Sequence, residues 1–225
     1  LSSCGAQAPT QRPQPVQRPV SMAGSSRRRR ASPSDPSSVP SMPLSPPKSP
    51  RVPAHCRTIT VQAYRRDDGL WDLEGHLTDV WPTPVPCAGG QLPAGQPMHA
   101  MWLRLTLDAT ATIVDAEAST DAGPYGSATC GAINPAYRQL IGLQVARGYK
   151  DAIRKRLGRT AGCTHLNELA GAMGSAAMQA LWEDLKSDGD TKPGHIDGCH
   201  ALASDGPQVA RFFPRWHRRS EQAGG

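Results

Sequence analysis

Aromatic side chains are scarce in this 225-residue chain, with two Phe, four Tyr and five Trp, and the first 50 residues hold none of them. Those 50 residues carry eleven of the 22 prolines and twelve serines, so they cannot bury enough apolar surface to offset the entropy of ordering. Residues 1–54 are expected to be a disordered Pro/Ser/Arg-rich tail, residues 55–216 a single domain, and residues 217–225 a second disordered end. No apolar stretch approaches the roughly 20 residues needed to span a bilayer, and no signal-peptide core is present. The expectation is a cytoplasmic protein without membrane contact. Leu1-Ser2-Ser3-Cys4 has the end of a lipoprotein box without its hydrophobic segment, so lipidation is not expected.

There is no C-x-x-C pair, phosphate loop, dinucleotide fingerprint or serine-hydrolase elbow. This excludes the commonest nucleotide and hydrolase signatures. The six cysteines are too few and too scattered for a disulfide scaffold. In a reducing compartment they would be buried hydrophobes, metal ligands or reactive thiols.

The net charge of +6 invites a nucleic-acid reading, but its location argues otherwise. Arg12, Arg18, Arg27 to Arg30 and Lys48 against Asp35 account for all of it, leaving the remainder of the chain neutral. Within that remainder, residues 51–129 carry five basic and nine acidic groups, and residues 130–225 carry thirteen and nine. The stretch Arg138 to Arg159 has seven basic residues against Asp151, a surface for an acidic protein partner, a nucleotide or nucleic acid, or equally a solvated helix face toward the acidic front half. No stacking stripe, helix-turn-helix or zinc-finger spacing accompanies it, so no specific nucleic acid is expected.

From Arg57 the pattern is that of strands. Ile59, Val61 and Ala63 alternate with polar residues. After the Asp67-Asp68-Gly69 turn, Trp71, Leu73 and Leu77 alternate with Asp72, Glu74, His76 and Thr78. Residues 82–97, rich in Pro and Gly, predict a loop. A third strand places Met101, Leu103, Leu105 and Leu107 on one face, with His99 in line, and a fourth runs over about 111–118. The period then becomes helical. Asn134-Pro135 opens a helix expected to break near Gly142 or Gly148 and resume to Leu157, and Thr164 is the expected N-cap of another. Leu166, Leu169, Ala170, Met173, Ala177 and Leu181 share one face of that last helix. A short strand is expected near Val209–Phe213. The order implies an α+β fold, an antiparallel sheet of three to four strands with helices packed on the face that carries His99.

Cys163 stands just outside a helix start, where the dipole favours thiolate. Cys130 enters another helix from a Gly/Ser/Thr loop, and Cys199-His200 follows Asp197-Gly198. Three thiolates completed by His165, His99 or Asp121 would satisfy a zinc site or hold an iron-sulfur cluster. The leading expectation is therefore an accessory protein with such a centre. Three alternatives stay open: an enzyme with Cys163 as nucleophile and His99, His165 or His200 as base, a non-catalytic interaction module using the basic helix, and cysteines that are separate core or loop residues.

Ala63-Tyr64-Arg65-Arg66-Asp67-Asp68-Gly69-Leu70-Trp71-Asp72, Pro97-Met98-His99, Gly162-Cys163-Thr164-His165-Leu166 and Asp197-Gly198-Cys199-His200-Ala201-Leu202 together resemble an uncharacterised bacterial domain-of-unknown-function family, which implies no activity. Thr112 to Glu117, Cys130, Leu140-Ile141-Gly142 and Cys163-Thr164-His165-Leu166 are similar in order to NifU/IscU-type iron-sulfur scaffolds and sulfur acceptors. That similarity implies thiolate ligands at Cys130 and Cys163. The chain departs from it by having no cysteine between Arg65 and Trp71 and by adding Cys199.

Overall fold

Alternation of apolar and polar residues drives the front of the chain into four long antiparallel strands. They are β1 (Cys56–Arg65), β2 (Trp71–Val80), β5 (Pro97–Leu107) and β6 (Ile113–Ala122), with the hairpin strands β3 (Val85–Cys87) and β4 (Gly90–Leu92) between β2 and β5. The computed structural model describes residues 44–218 except 147, 183 and 186–189. Most of the expected disordered tail and C-terminal end thus lies outside the described residues, and 44–54 run exposed up to β1. The large sheet has the order β1-β2-β5-β6, and β3 pairs only with β4. The Pro/Gly-rich stretch over 82–97, expected as a loop, therefore contains a small hairpin.

Helices follow: α1 (Ser127–Gly131), a 3-10 turn over Asn134–Leu140, α2 (Tyr149–Leu157), α3 (Thr164–Ala180) and α4 (Pro207–Phe212). Asn134-Pro135 opens the 3-10 turn rather than an α-helix. Gly142 and Gly148, at φ +83° and +86°, supply the left-handed breaks before α2. The strand expected near Val209 is the short helix α4, entered through Pro207 in its first turn. Cys130, expected in a loop, lies within α1.

One sheet face carries Leu73, Leu77, Met101, Leu103, Leu105, Leu107 and Ile113, each at most 1% exposed, and the helices cover it through Leu166, Leu169, Met173 and Tyr137. The fold is thus α+β with the helices on the expected face. Gly75 sets how closely α3 approaches. A Cβ built there would lie 2.7 Å from Met173 Sδ and 2.9 Å from Leu169 Cδ1. The start of α3 is pinned by the buried Tyr137. Its hydroxyl accepts from Cys163 N (3.0 Å) and has two acceptors in reach, Cys163 O (2.9 Å) and Asn167 Oδ1 (2.8 Å). Asn167 Nδ2 in turn donates to Leu157 O (2.6 Å). Burial pushes the Tyr137 phenol well above its ordinary value, so it stays a protonated donor.

Candidate functional site

The alternation that buries Leu73, Gly75 and Leu77 in β2 carries on to Asp79, which is 1% exposed. Strand register places Arg57 of β1 and His99 of β5 directly opposite Asp79 on its two sides, so Arg57, Asp79 and His99 form one row across three strands. The β2–β5 register shifts at once beyond this row, between Asp79 and Val80. From above, α3 adds His165 and Glu168 in its first turns.

A buried carboxylate is costly unless it is paired, and Asp79 is surrounded by partners. Arg57 Nε donates to Oδ1 at 2.8 Å and Arg57 Nη2 to Oδ2 at 2.7 Å, a two-pronged contact. His55 Nε2 lies 2.9 Å from Oδ1, its ring packed against Trp81. The outer side of Arg57 reaches Glu168 Oε2 at 2.5 Å. Burial alone would raise the Asp79 carboxyl, but the Arg57 hydrogen bonds and charge, with His55 and His99, bring it down to about 2.

His99 Nδ1 stands 3.0 Å from Asp79 Oδ2, and His165 Nε2 stands 3.8 Å from the same oxygen. The two rings stack with centroids 3.7 Å apart and a 29° tilt. Although His99 Nδ1 is close to the carboxylate, it is not aligned for a hydrogen bond and has no other partner, while the residue is only 9% exposed. Burial lowers the pKa of both imidazoles, and Arg57 lowers both further. Asp79 acts against the shift in each ring. Both rings are thereby biased toward the neutral form that offers a lone pair. On its other side, His165 Nδ1 is 3.8 Å from Cys163 Sγ, which also lies 3.8 Å from Met101 Sδ.

The ligand-type atoms of Asp79, His99 and His165 all lie within 4.8 Å of one another, and among the described residues this is the one group of three or more His, Cys, Asp or Glu side chains arranged to take a metal ion. Its donors are two nitrogens and an oxygen. With neutral imidazoles, Asp79 and Glu168 against Arg57 leave one net negative charge for a cation.

The expected trio of Cys130, Cys163 and Cys199 is not brought together. α1, which holds Cys130 in its last turn, packs on the edge strand β6, while α3 crosses β1, β2 and β5, so the two helices sit over different parts of the sheet. Cys130 lies against Gly123, where a built Cβ would meet its Sγ at 2.5 Å. Cys199 is exposed beside the 3-10 turn His200–Leu202, and His200 is exposed too. Asp121 falls on the opposite sheet face, accepting from Trp102 Nε1 at 2.9 Å, because strand alternation turns it away from the core. Cys163, not Thr164, is the residue that precedes the first turn of α3, with extended φ and ψ of −102° and 131°. That geometry brings its sulfur to the imidazole two residues on, a closeness not expected of near neighbours in sequence.

Of the expected residues, then, His99 and His165 meet, with Cys163 behind His165. Asp79, Arg57 and His55 join them without having been expected from the sequence. The available signal was parity: Asp79 continues the Leu73, Gly75, Leu77 face, and Arg57 continues that of Ile59 and Val61. A charge at a core-facing strand position needs a partner or a task.

Among the described residues no helix is long and apolar enough to cross a membrane. No curated protein and no solved structure matches the chain, and nothing in these comparisons supports the scaffold similarity or a bacterial source. One family model does match, described as a protein of unknown function (DUF2889), over residues 55–179. That span runs from His55 through His165 and Glu168 and omits Cys199. With more than half of its length matched, the chain belongs to the DUF2889 family.

Proposed function

We propose that this domain binds one divalent transition-metal ion, zinc being the best fit, through Asp79 Oδ2, His99 Nδ1 and His165 Nε2. The observation that carries the reading is His99 Nδ1, buried, without a hydrogen-bond partner, and beside a carboxylate oxygen that a second neutral imidazole also approaches. Ligands about 2.0–2.1 Å from a tetrahedral ion lie about 3.3 Å from one another. The observed 3.0 and 3.8 Å bracket that separation. Two imidazoles and a carboxylate leave a coordination position for water, the pattern of catalytic rather than structural zinc, and also suit iron(II). An iron-sulfur cluster needs several thiolates, and among the described cysteines only Cys163 is close.

The supporting shell fits the same reading. Arg57 and His55 hold the Asp79 carboxylate, and Cys163 Sγ gives His165 Nδ1–H an acceptor, which keeps the lone pair on Nε2. Because two lone pairs must aim at one point, ion binding has to open the His99–His165 stack.

Zinc titration by calorimetry, with elemental analysis of the purified chain, tests the proposal. One ion per chain is expected. Affinity should fall more than 100-fold in H99A and H165A, and about tenfold in C163S, where only the supporting contact changes. Folded wild type that takes up neither zinc nor iron(II), or H99A that binds as well as wild type, overturns it.

A second reading rests on the line from Cys163 Sγ to His165 Nδ1 and from His165 Nε2 to Asp79 Oδ2, both 3.8 Å, the order of a thiol, a base and an orienting carboxylate. It requires Cys163 to be alkylated by iodoacetamide far faster than the other cysteines at neutral pH, and uniform slow labelling removes it.

A further inference from the structure

The basic stretch of the second half is largely not spent on the acidic first half. Arg138 meets Asp115 across 3.7 Å, Arg154 pairs with its own helix neighbour Asp151 at 2.7 Å, and Arg156 donates to the carbonyls of Gln139 and Ile141. Lys150, Lys155 and Arg159 make no ion pair among the described residues. The Arg154–Asp151 pair is itself solvent-exposed, at 78% and 74%, so it holds Arg154 weakly.

Three of these cations converge on a concavity. Between α2 and α3 lies a groove of about 560 Å³, whose lining includes the cations Lys150, Arg154 and Arg159 and the apolar Ile59, Ile153 and Ala172. Its volume is in the range of small-molecule sites. The single carboxylate in its wall is Glu168, already engaged by Arg57. Arg159 enters the lining through a left-handed backbone, φ 57°, directly after Gly158 closes α2.

We propose that this groove binds a small organic anion. Its phosphate or carboxylate group is held by Lys150, Arg154 and Arg159, and its apolar body rests on Ile59, Ile153 and Ala172. An excess of unpaired positive charge beside apolar wall selects such an amphiphilic anion over a cation or a neutral polar solute. The groove lies one ion pair from the buried row, because the Glu168 that borders it binds the Arg57 that holds Asp79. The anchoring of an anion here does not depend on any metal.

The experiment uses the full chain and hexyl phosphate, with hexylammonium and poly-glutamate as comparisons, followed by calorimetry and by ligand-observed NMR. Hexyl phosphate should bind at about millimolar affinity and hexylammonium should not. K150E/R159E changes two exposed residues, so folding is retained, and it should weaken hexyl phosphate about tenfold or more while leaving zinc affinity unchanged. No binding of hexyl phosphate at about 10 mM overturns the inference. So does equal binding by K150E/R159E, equal binding of hexylammonium, or binding of poly-glutamate alone. Zinc uptake without hexyl phosphate binding sinks only this inference. Hexyl phosphate binding without zinc uptake supports it and sinks only the metal reading.

Discussion

The two faces of the large sheet carry similar side chains and put them to different use. On the helix-covered face, Asp79 lies among His99, His165, His55 and Arg57 with 1% of its surface exposed. On the open face, Asp121 accepts from Trp102, His76 stacks on the same indole at 3.8 Å, and Arg104 pairs with Glu117. Each face holds a carboxylate, a histidine and an arginine. Water screens the pairs on the open face and leaves them worth little, whereas burial on the covered face makes an unpaired charge costly and holds Asp79 to its directed partners Arg57 and His55. The contrast teaches that the donor set is made by its depth and not by its composition.

The largest way to break this contrast is to remove the two carboxylates in turn. D79A leaves Arg57 and His55 without their common partner and should lower unfolding free energy by about 3 kcal/mol in chemical denaturation, because breaking a buried pair strands its partner. D121A should change it by about 0.5 kcal/mol or less. Similar losses for both would show that the covered face is no more demanding than the open one.

Acid should separate the faces next. The Asp79 carboxyl is held at about 2, below its unfolded value of 3.8, so the folded state binds this proton less readily than the unfolded chain. The stability it contributes in metal-free protein, about 2 kcal/mol, is therefore present above about pH 4 and lost as pH falls toward 2. Denaturation measured across this window should show the loss in wild type and in D121N, and a flatter profile in D79N. An unchanged profile in D79N would mean that the Arg57 contact does not hold the carboxyl down.

The smallest effect concerns spacing. G75A puts a methyl where Met173 Sδ and Leu169 Cδ1 already stand, and should destabilise by about 1 kcal/mol while lifting α3, and His165 with it, from the sheet. Zinc affinity should fall along with stability. Unchanged affinity would show that His165 is placed by Tyr137 and Asn167 alone.

Much of this architecture was legible in the chain. The period-two runs gave β1, β2, β5 and β6, and the i, i+3, i+4 spacing from Leu166 to Leu181 gave α3 and its buried face. His99 was readable as core-facing from Met101 and Leu103. The hairpin β3–β4 was hidden by Pro and Gly, and α4 by a β-branched and aromatic run that a proline start turned helical. The site was half legible. A thiol near a helix start has chemistry of its own, but only Cys163 stands at one, and Cys130 ends a short helix over another part of the sheet.

By itself, then, the sequence determined which residues face the core, since side-chain periodicity is local and needs no partner strand. It could not determine which of them meet. That Arg57, Asp79 and His99 share a row follows from strand register, and that His165 caps the row follows from the height Gly75 allows α3. Register and helix height are settled by the packing of distant segments against one another, and a site assembled from residues 55, 57, 79, 99 and 165 exists only once that packing is complete.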